Sequence, residues 1–191
     1  MTPRIVLFTR YPAPGAAKTR LIPALGAEGA AALHRQLAER TLEVLRKAGL
    51  PIEVRTTGAP VADFRDWLGP DPAYVEQGEG DLGERLVRAA PPYPVLFLGT
   101  DAPDLTPGHV RDAAAALTTA PVAIGPAEDG GYWLLGLAAP LPFLFDAMPW
   151  GTDAVFAETM SRLRARGIAP ALLPTLADLD RPEDLARWPG L

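Results

Sequence analysis

The chain has 191 residues, 48% of them apolar, and a formal net charge of −5. That length and apolar content suit one domain, residues 1–191, with helices covering a sheet, while the acidic balance argues against a nucleic-acid surface, which shows as clustered Lys and Arg. Without cysteine there is no disulfide, thiolate nucleophile or Cys-bound zinc, and no run approaches the ~18 apolar residues of a membrane span, so a soluble cytoplasmic protein is expected; monomer and homodimer both stay open.

Ile5–Thr9 reads as a buried strand. Glu28–Lys47 carries the apolar stripe Ala32, Leu33, Leu37, Leu42 and Leu45, which predicts an amphipathic helix closed by Gly49. Strand Ile52–Thr56, helix Val61–Leu68, strand Tyr74–Gln77 and helix Leu82–Ala89 follow, then a central strand Pro94–Gly99 and a helix Pro107–Leu117 opened by proline. The alternation predicts an α/β fold with a parallel sheet. After strand Val122–Gly125 the pattern changes. The turn Asp129-Gly130-Gly131 leaves too few residues for a parallel crossover, so the run Tyr132–Leu137 is antiparallel or belongs to a separate small ribbon. Helix Thr152–Arg166, strand Ala171–Leu173 and helix Pro182–Trp188 complete the chain.

In an open α/β sheet the carboxyl ends of the parallel strands form the ligand crevice. The loop Pro12-Ala13-Pro14-Gly15-Ala16-Ala17-Lys18-Thr19-Arg20 follows the first strand and offers a Gly turn, free backbone N–H groups and two cations, a set that suits phosphate. Lys18 is one of two lysines against sixteen arginines. The spacing is not that of a Walker A loop, and the alternative is ordinary surface. With no ligand bound, Lys18 and Arg20 are expected to be hydrated.

Asp101 and Asp104 flank Pro103 after the central strand. Magnesium takes one or two carboxylates plus phosphate oxygens and water, a role that fits Asp101; Asp104 serves equally as a turn or cap residue. Glu128-Asp129-Gly130-Gly131 supplies further carboxylates or backbone donors for a substrate, or simply a hairpin turn. Trp150, followed by Thr152, can stack on a base or acceptor or pack internally. Glu183 and Asp184 suit the dipole of a first helical turn, which leaves Asp180 freer for a ligand. His34 and His109 have no metal-ligand spacing, and Ser161 is the sole serine, so neither zinc nor a nucleophilic triad has support.

Gly80-Asp81-Leu82-Gly83-Glu84-Arg85, Gly125-Pro126-Ala127-Glu128-Asp129-Gly130-Gly131-Tyr132, Trp150-Gly151-Thr152 and Asp178-Leu179-Asp180, together with the Lys18 and Asp101 loops, resemble a family of bacterial GT-A-like transferases often labelled glycosyltransferases of arsenosugar biosynthesis. The resemblance spans nearly the whole chain. The Lys-Thr-Arg-Leu, Asp-x-Pro and Asp-Gly-Gly segments are also similar to those of 2-phospholactate guanylyltransferases, where Thr-Asn stands in place of Tyr132-Trp133. The family commonly has Lys at position 10 and Thr at position 181, both Arg here.

The resemblance implies a three-layer α/β/α sandwich of the Rossmann-like GT-A, or nucleotide-diphospho-sugar transferase, fold, with a mostly parallel sheet and one antiparallel strand. It implies further that Pro14, Gly15, Lys18 and Arg20 hold nucleotide phosphates, that Asp101 and Asp180 bind Mg2+ or Mn2+, and that Lys18, Arg20 and Asp101 form the catalytic set. The expected function is nucleotidyl transfer from a triphosphate to a small phosphorylated acceptor with pyrophosphate release. Glycosyl transfer from a nucleotide-sugar donor is the alternative enzyme reading, and a non-catalytic nucleotide-binding module is a third.

Overall fold

The short apolar runs become the strands of one seven-stranded sheet, in a computed structural model that describes all 191 residues. They are β1 (Arg4–Arg10), β2 (Ile52–Thr57), β3 (Ala73–Glu76), β4 (Val95–Leu98), β5 (Val122–Pro126), β6 (Tyr132–Leu137) and β7 (Ala171–Leu172), ordered β3-β2-β1-β4-β6-β5-β7. Only β6 is antiparallel to its neighbours. It lies inside the main sheet, which removes the separate-ribbon alternative. Because β6 runs backwards, its beginning and the turn before it lie at the carboxyl edge of the parallel strands.

Five helices cover the sheet: α1 (Ile22–Ala48), α2 (Val61–Leu68), α3 (Leu82–Ala89), α4 (Pro107–Ala116) and α5 (Val155–Arg164). Alternate strand residues feed opposite faces. Ile5, Leu7, Leu96 and Leu98 pack with Leu42 and Leu45 of α1, Phe64 of α2 and Val110 of α4, whereas Val6, Val95 and Phe97 pack with Leu86 of α3 and Leu163 of α5. This is the expected three-layer sandwich. No helix is long and apolar enough to cross a membrane.

Gly26 breaks α1 with φ 72° and ψ 168°, so its regular part begins close to the Glu28 start read from the sequence. Asp81 and Thr106 open α3 and α4 with capping boxes, Pro107 taking the first position of α4. Two expectations are corrected. Helix α5 starts at Val155 because the Thr152 hydroxyl accepts from the Ala154 amide and closes a turn, and Pro182–Arg187 forms a 3-10 segment.

Candidate active site

The connection from β1 leads outward to β2, and that from β4 leads the other way to β5, so the loops after β1 and β4 flank the switch point where open sheets bind ligands. Lys18 lies in the first loop with left-handed backbone (φ 48°), next to a 3-10 turn anchored by buried Leu21. Its side chain is only 4% exposed: Nζ meets Asp101 Oδ1 at 2.5 Å, donates to the Leu179 carbonyl and lies 3.6 Å from Asp180 Oδ1. The expectation of a hydrated lysine is therefore wrong. Arg20, with its side chain 57% exposed, pairs with Asp180 Oδ2 at 2.6 Å.

Asp180 reaches the site because the segment after β7 continues along the sheet edge. Leu176 donates to the Pro126 carbonyl at 3.1 Å and accepts from the Glu128 amide at 3.1 Å, and the Leu179 amide donates to the Asp101 carbonyl at 2.8 Å. Asp184 then accepts from the amides of Asp180 (3.0 Å) and Arg181 (2.7 Å), which fixes the turn beyond it. Two carboxylates from distant parts of the chain thus converge on one ammonium. No group of three or more His, Cys, Asp or Glu side chains forms a ready metal cage. A carboxylate pair suits a hard divalent ion that completes its sphere with phosphate oxygens and water.

Asp101 and Asp180 stand between two pockets, since both line each. The first, about 500 Å³, extends over the ends of β1, β2 and β3 and presents Arg10, Lys18, Arg20, Gln77 and Arg85. The second, about 280 Å³, has the aromatic residues Tyr132, Trp133 and Trp150 beside Asp129, Thr152 and Asp178. Burial, reinforced by the negative charge of Asp129, holds the Asp178 carboxyl above the usual range for an aspartate. Trp150 stacks on Phe145 and covers Gly83, where a Cβ would come within 2.9 Å of the indole nitrogen.

Of the sequence candidates, Lys18, Arg20, Asp101, Asp129, Gly131, Trp150, Thr152 and Asp180 line the two pockets. Pro14 and Gly15 lie outside both; Ala16 and Ala17 line the pocket in their place. Glu128 is drawn away by a two-pronged pair with Arg187 (2.6 and 3.1 Å), which also lowers its pKa. Gly130 packs against the start of α5, with no room for a Cβ beside the Asp153 carbonyl. Asp104 accepts from the Trp188 indole at 3.1 Å, Thr106 being the cap of α4. His34 is a buried structural histidine bonded to the Arg10 carbonyl at 2.9 Å, and burial lowers its pKa. His109 completes the Thr106 capping box.

The sequence reading gave no site role to Gln77 or Arg85 and left open whether Asp178 contacts the metal; all three line the pockets. Arg85 and Asp178 fall within the segments that carry the family resemblance, and Gln77 stands at a strand's carboxyl end, where a polar residue is a usable signal.

Residues 40–152 match the family described as "Uncharacterized protein conserved in bacteria (DUF2064)". The chain belongs to this family. The DUF2064 chain is similar to a protein of Desulfovibrio desulfuricans G20 provisionally described as a nucleotide-diphospho-sugar transferase: identity is 32% over 95% of this chain and 84% of that one, with a TM-score of 0.88. A nucleotidyl transferase from Methanothermobacter has the same fold at 19% identity, covering 97% and 95% of the two chains with a TM-score of 0.65. A Mycobacterium tuberculosis H37Rv protein in complex with manganese also shares it, at 17% identity, 98% and 97% coverage and a TM-score of 0.57. No curated protein matches the chain. The fold is that of the nucleotide-diphospho-sugar transferases, and the Desulfovibrio and Methanothermobacter proteins that share it are described as transferases.

Proposed function

We propose that this DUF2064 protein is a divalent-metal-dependent nucleotidyltransferase that moves a nucleotidyl group from a triphosphate to a small acceptor. The observation that carries the reading is the convergence of Asp101 and Asp180 on one cation between a basic pocket and an aromatic one. The basic pocket takes the nucleotide and the aromatic pocket the acceptor. Asp101 and Asp180 would hold Mg2+ or Mn2+, which would supply charge stabilisation for the transferring phosphoryl group.

Lys18 keeps both carboxylates directed at one point, and Arg20, at the mouth, takes the departing diphosphate. The acceptor oxygen forms its bond to the α-phosphorus as the α–β bridging oxygen leaves with pyrophosphate. Positioning and fixed charge carry the rate, with no covalent enzyme intermediate.

The aromatic wall at Trp150 and Tyr132 also suits a sugar, and this favours glycosyl transfer as the second reading. The leaving group separates the two. With magnesium, phosphorylated acids or alcohols as acceptors, and triphosphates or sugar nucleotides as donors, acceptor-dependent pyrophosphate is expected. Nucleoside diphosphate from a sugar nucleotide, with no pyrophosphate from any triphosphate, would replace the first reading by the second.

A further inference from the structure

The charges of the basic pocket are unevenly spent. Lys18 and Arg20, the cations most conspicuous in the sequence, each already face a carboxylate. Arg10 donates to the Ala16 carbonyl at 2.8 Å, a neutral partner. Arg85 donates through Nη1 to the neutral Gln77 Oε1 at 3.1 Å, and its Nε is buried with no acceptor at all. A guanidinium withdrawn from water normally finds acceptors for its donors, and one left short of them beside a cavity is poised for an anion.

Gln77 explains how Arg85 is held without being neutralised. Its two amide hydrogens go to the Thr9 carbonyl (3.1 Å) and the Arg55 carbonyl (3.0 Å), at the ends of β1 and β2. With both donors committed, Oε1 must face Arg85, and the amide orientation is settled. Gln77 is buried, so the strut is rigid. A carboxylate at this position would neutralise the guanidinium and would turn acceptor oxygens towards two carbonyls. An amide aims the cation and leaves its charge for a ligand.

We propose that Arg85, aimed by Gln77 and assisted by Arg10 in the same pocket, is the principal grip on the nucleotide's polyphosphate. The assignment rests on the reading of this pocket as the nucleotide site. The fork of a guanidinium matches two phosphate oxygens, which an ammonium cannot reproduce, so the shape of Arg85 matters as well as its charge. Before metal arrives, Lys18 and Arg20 are occupied by Asp101 and Asp180, and Arg10 and Arg85 carry the pocket's attraction for anions.

Inorganic tripolyphosphate and nucleoside triphosphates, titrated calorimetrically with chelator present, test this on the intact chain. Arg85→Gln is expected to weaken tripolyphosphate and triphosphate binding alike by at least about tenfold, Arg85→Lys to recover part of the loss, and Arg20→Gln to weaken binding less than about threefold. Arg40→Gln removes the same charge from an exposed site outside the pocket and should change nothing. Melting temperatures of the two Arg85 variants, similar to each other, show that the comparison is made on folded protein.

Absence of tripolyphosphate binding by the parent, or an unchanged affinity in Arg85→Gln, overturns the assignment. So does loss of triphosphate binding with tripolyphosphate binding intact, which would make Arg85 a reader of the base. If tripolyphosphate binds through Arg85 but no nucleoside triphosphate or sugar nucleotide does, the transferase reading fails and the anion grip stands.

Discussion

Replacing Lys18 by Met tests whether the cation at the site is structural as well as functional. The substitution keeps the aliphatic stem and removes the ammonium, which is 4% exposed with its side chain and touches Asp101, Asp180 and the Leu179 carbonyl. The stranded carbonyl costs about 1 to 1.5 kcal/mol. The Asp101 contact adds only about 0.5 to 1 kcal/mol, since that side chain is 53% exposed and solvent screens it. A total near 2 kcal/mol in a 191-residue chain lowers Tm by about 4 to 8 °C. Arg20→Ala, which breaks an exposed pair, should shift Tm by no more than about 2 °C. Thermal unfolding of the ligand-free protein provides the measurement. In an Asp101→Asn background the cost of Lys18→Met should shrink by the discounted pair energy. A Lys18→Met protein that melts within about 1 °C of the parent, or no more weakly than Arg20→Ala, would refute the reasoning.

Asp101→Asn is expected to fold and to lose at least roughly 10²-fold in metal-dependent turnover, as when one preorganised electrostatic group is removed; unchanged turnover and metal dependence would remove Asp101 from the site, whereas Asp104→Asn should cost less. Gly130→Ala should lower stability by more than about 2 kcal/mol, because a positive φ is joined by a backbone clash of 2.2 Å at Asp153, while Gly15→Ala, with open space around it, bears only the φ penalty of about 1 kcal/mol; equal melting shifts for the two would contradict the packing at Gly130. His34 has its pKa lowered on folding by burial, so the unfolded chain binds the extra proton more readily and stability is lost as pH falls below the ordinary value of 6.5. His34→Gln, which retains a donor for the Arg10 carbonyl, should flatten that decline in Tm below neutrality, and an undiminished slope would exclude His34 as its source.

The elements with strong local signals were legible. Helices α2 and α3 end where their apolar patterns and flanking residues indicate, and the short connection before Tyr132 is enough to reverse β6. The position of β6 between β4 and β5 has no local signature, because neighbour order is decided by packing across the sheet. Asp101 was readable from its place after a central strand. Asp180 was only hinted at by its neighbours and came as a metal ligand mainly through the family resemblance, since its approach depends on the sheet-edge course of residues far from it in sequence. The burial of Lys18 was missed for the same reason: its partners, Asp101, Leu179 and Asp180, lie far along the chain. A lysine in a Gly-containing loop looks solvated until those partners are known. Glu128 misled in the opposite direction, as its capture by Arg187 is a long-range contact written nowhere in the turn that contains it.

The segment that carries Asp180 holds on by discrete attachments: hydrogen bonds of Leu176 and Leu179 to the sheet loops, Lys18 to the Leu179 carbonyl and Asp180, Arg20 to Asp180, Arg187 to Glu128, Trp188 to Asp104, and apolar contact of Leu179 and Leu185 with α1. It contributes no strand to the central sheet and follows all seven in chain order. During synthesis the sheet can therefore form with Asp101 in place while Asp180, the second carboxylate of the pair, is still missing, and in the finished protein this strap should open at a lower free energy than β1 or β4. Amides of residues 179–188 should exchange with deuterated solvent well before those of the central strands. A protease that nicks the opened strap should leave a folded cleft with its basic wall intact and, on the proposed function, no transferase activity.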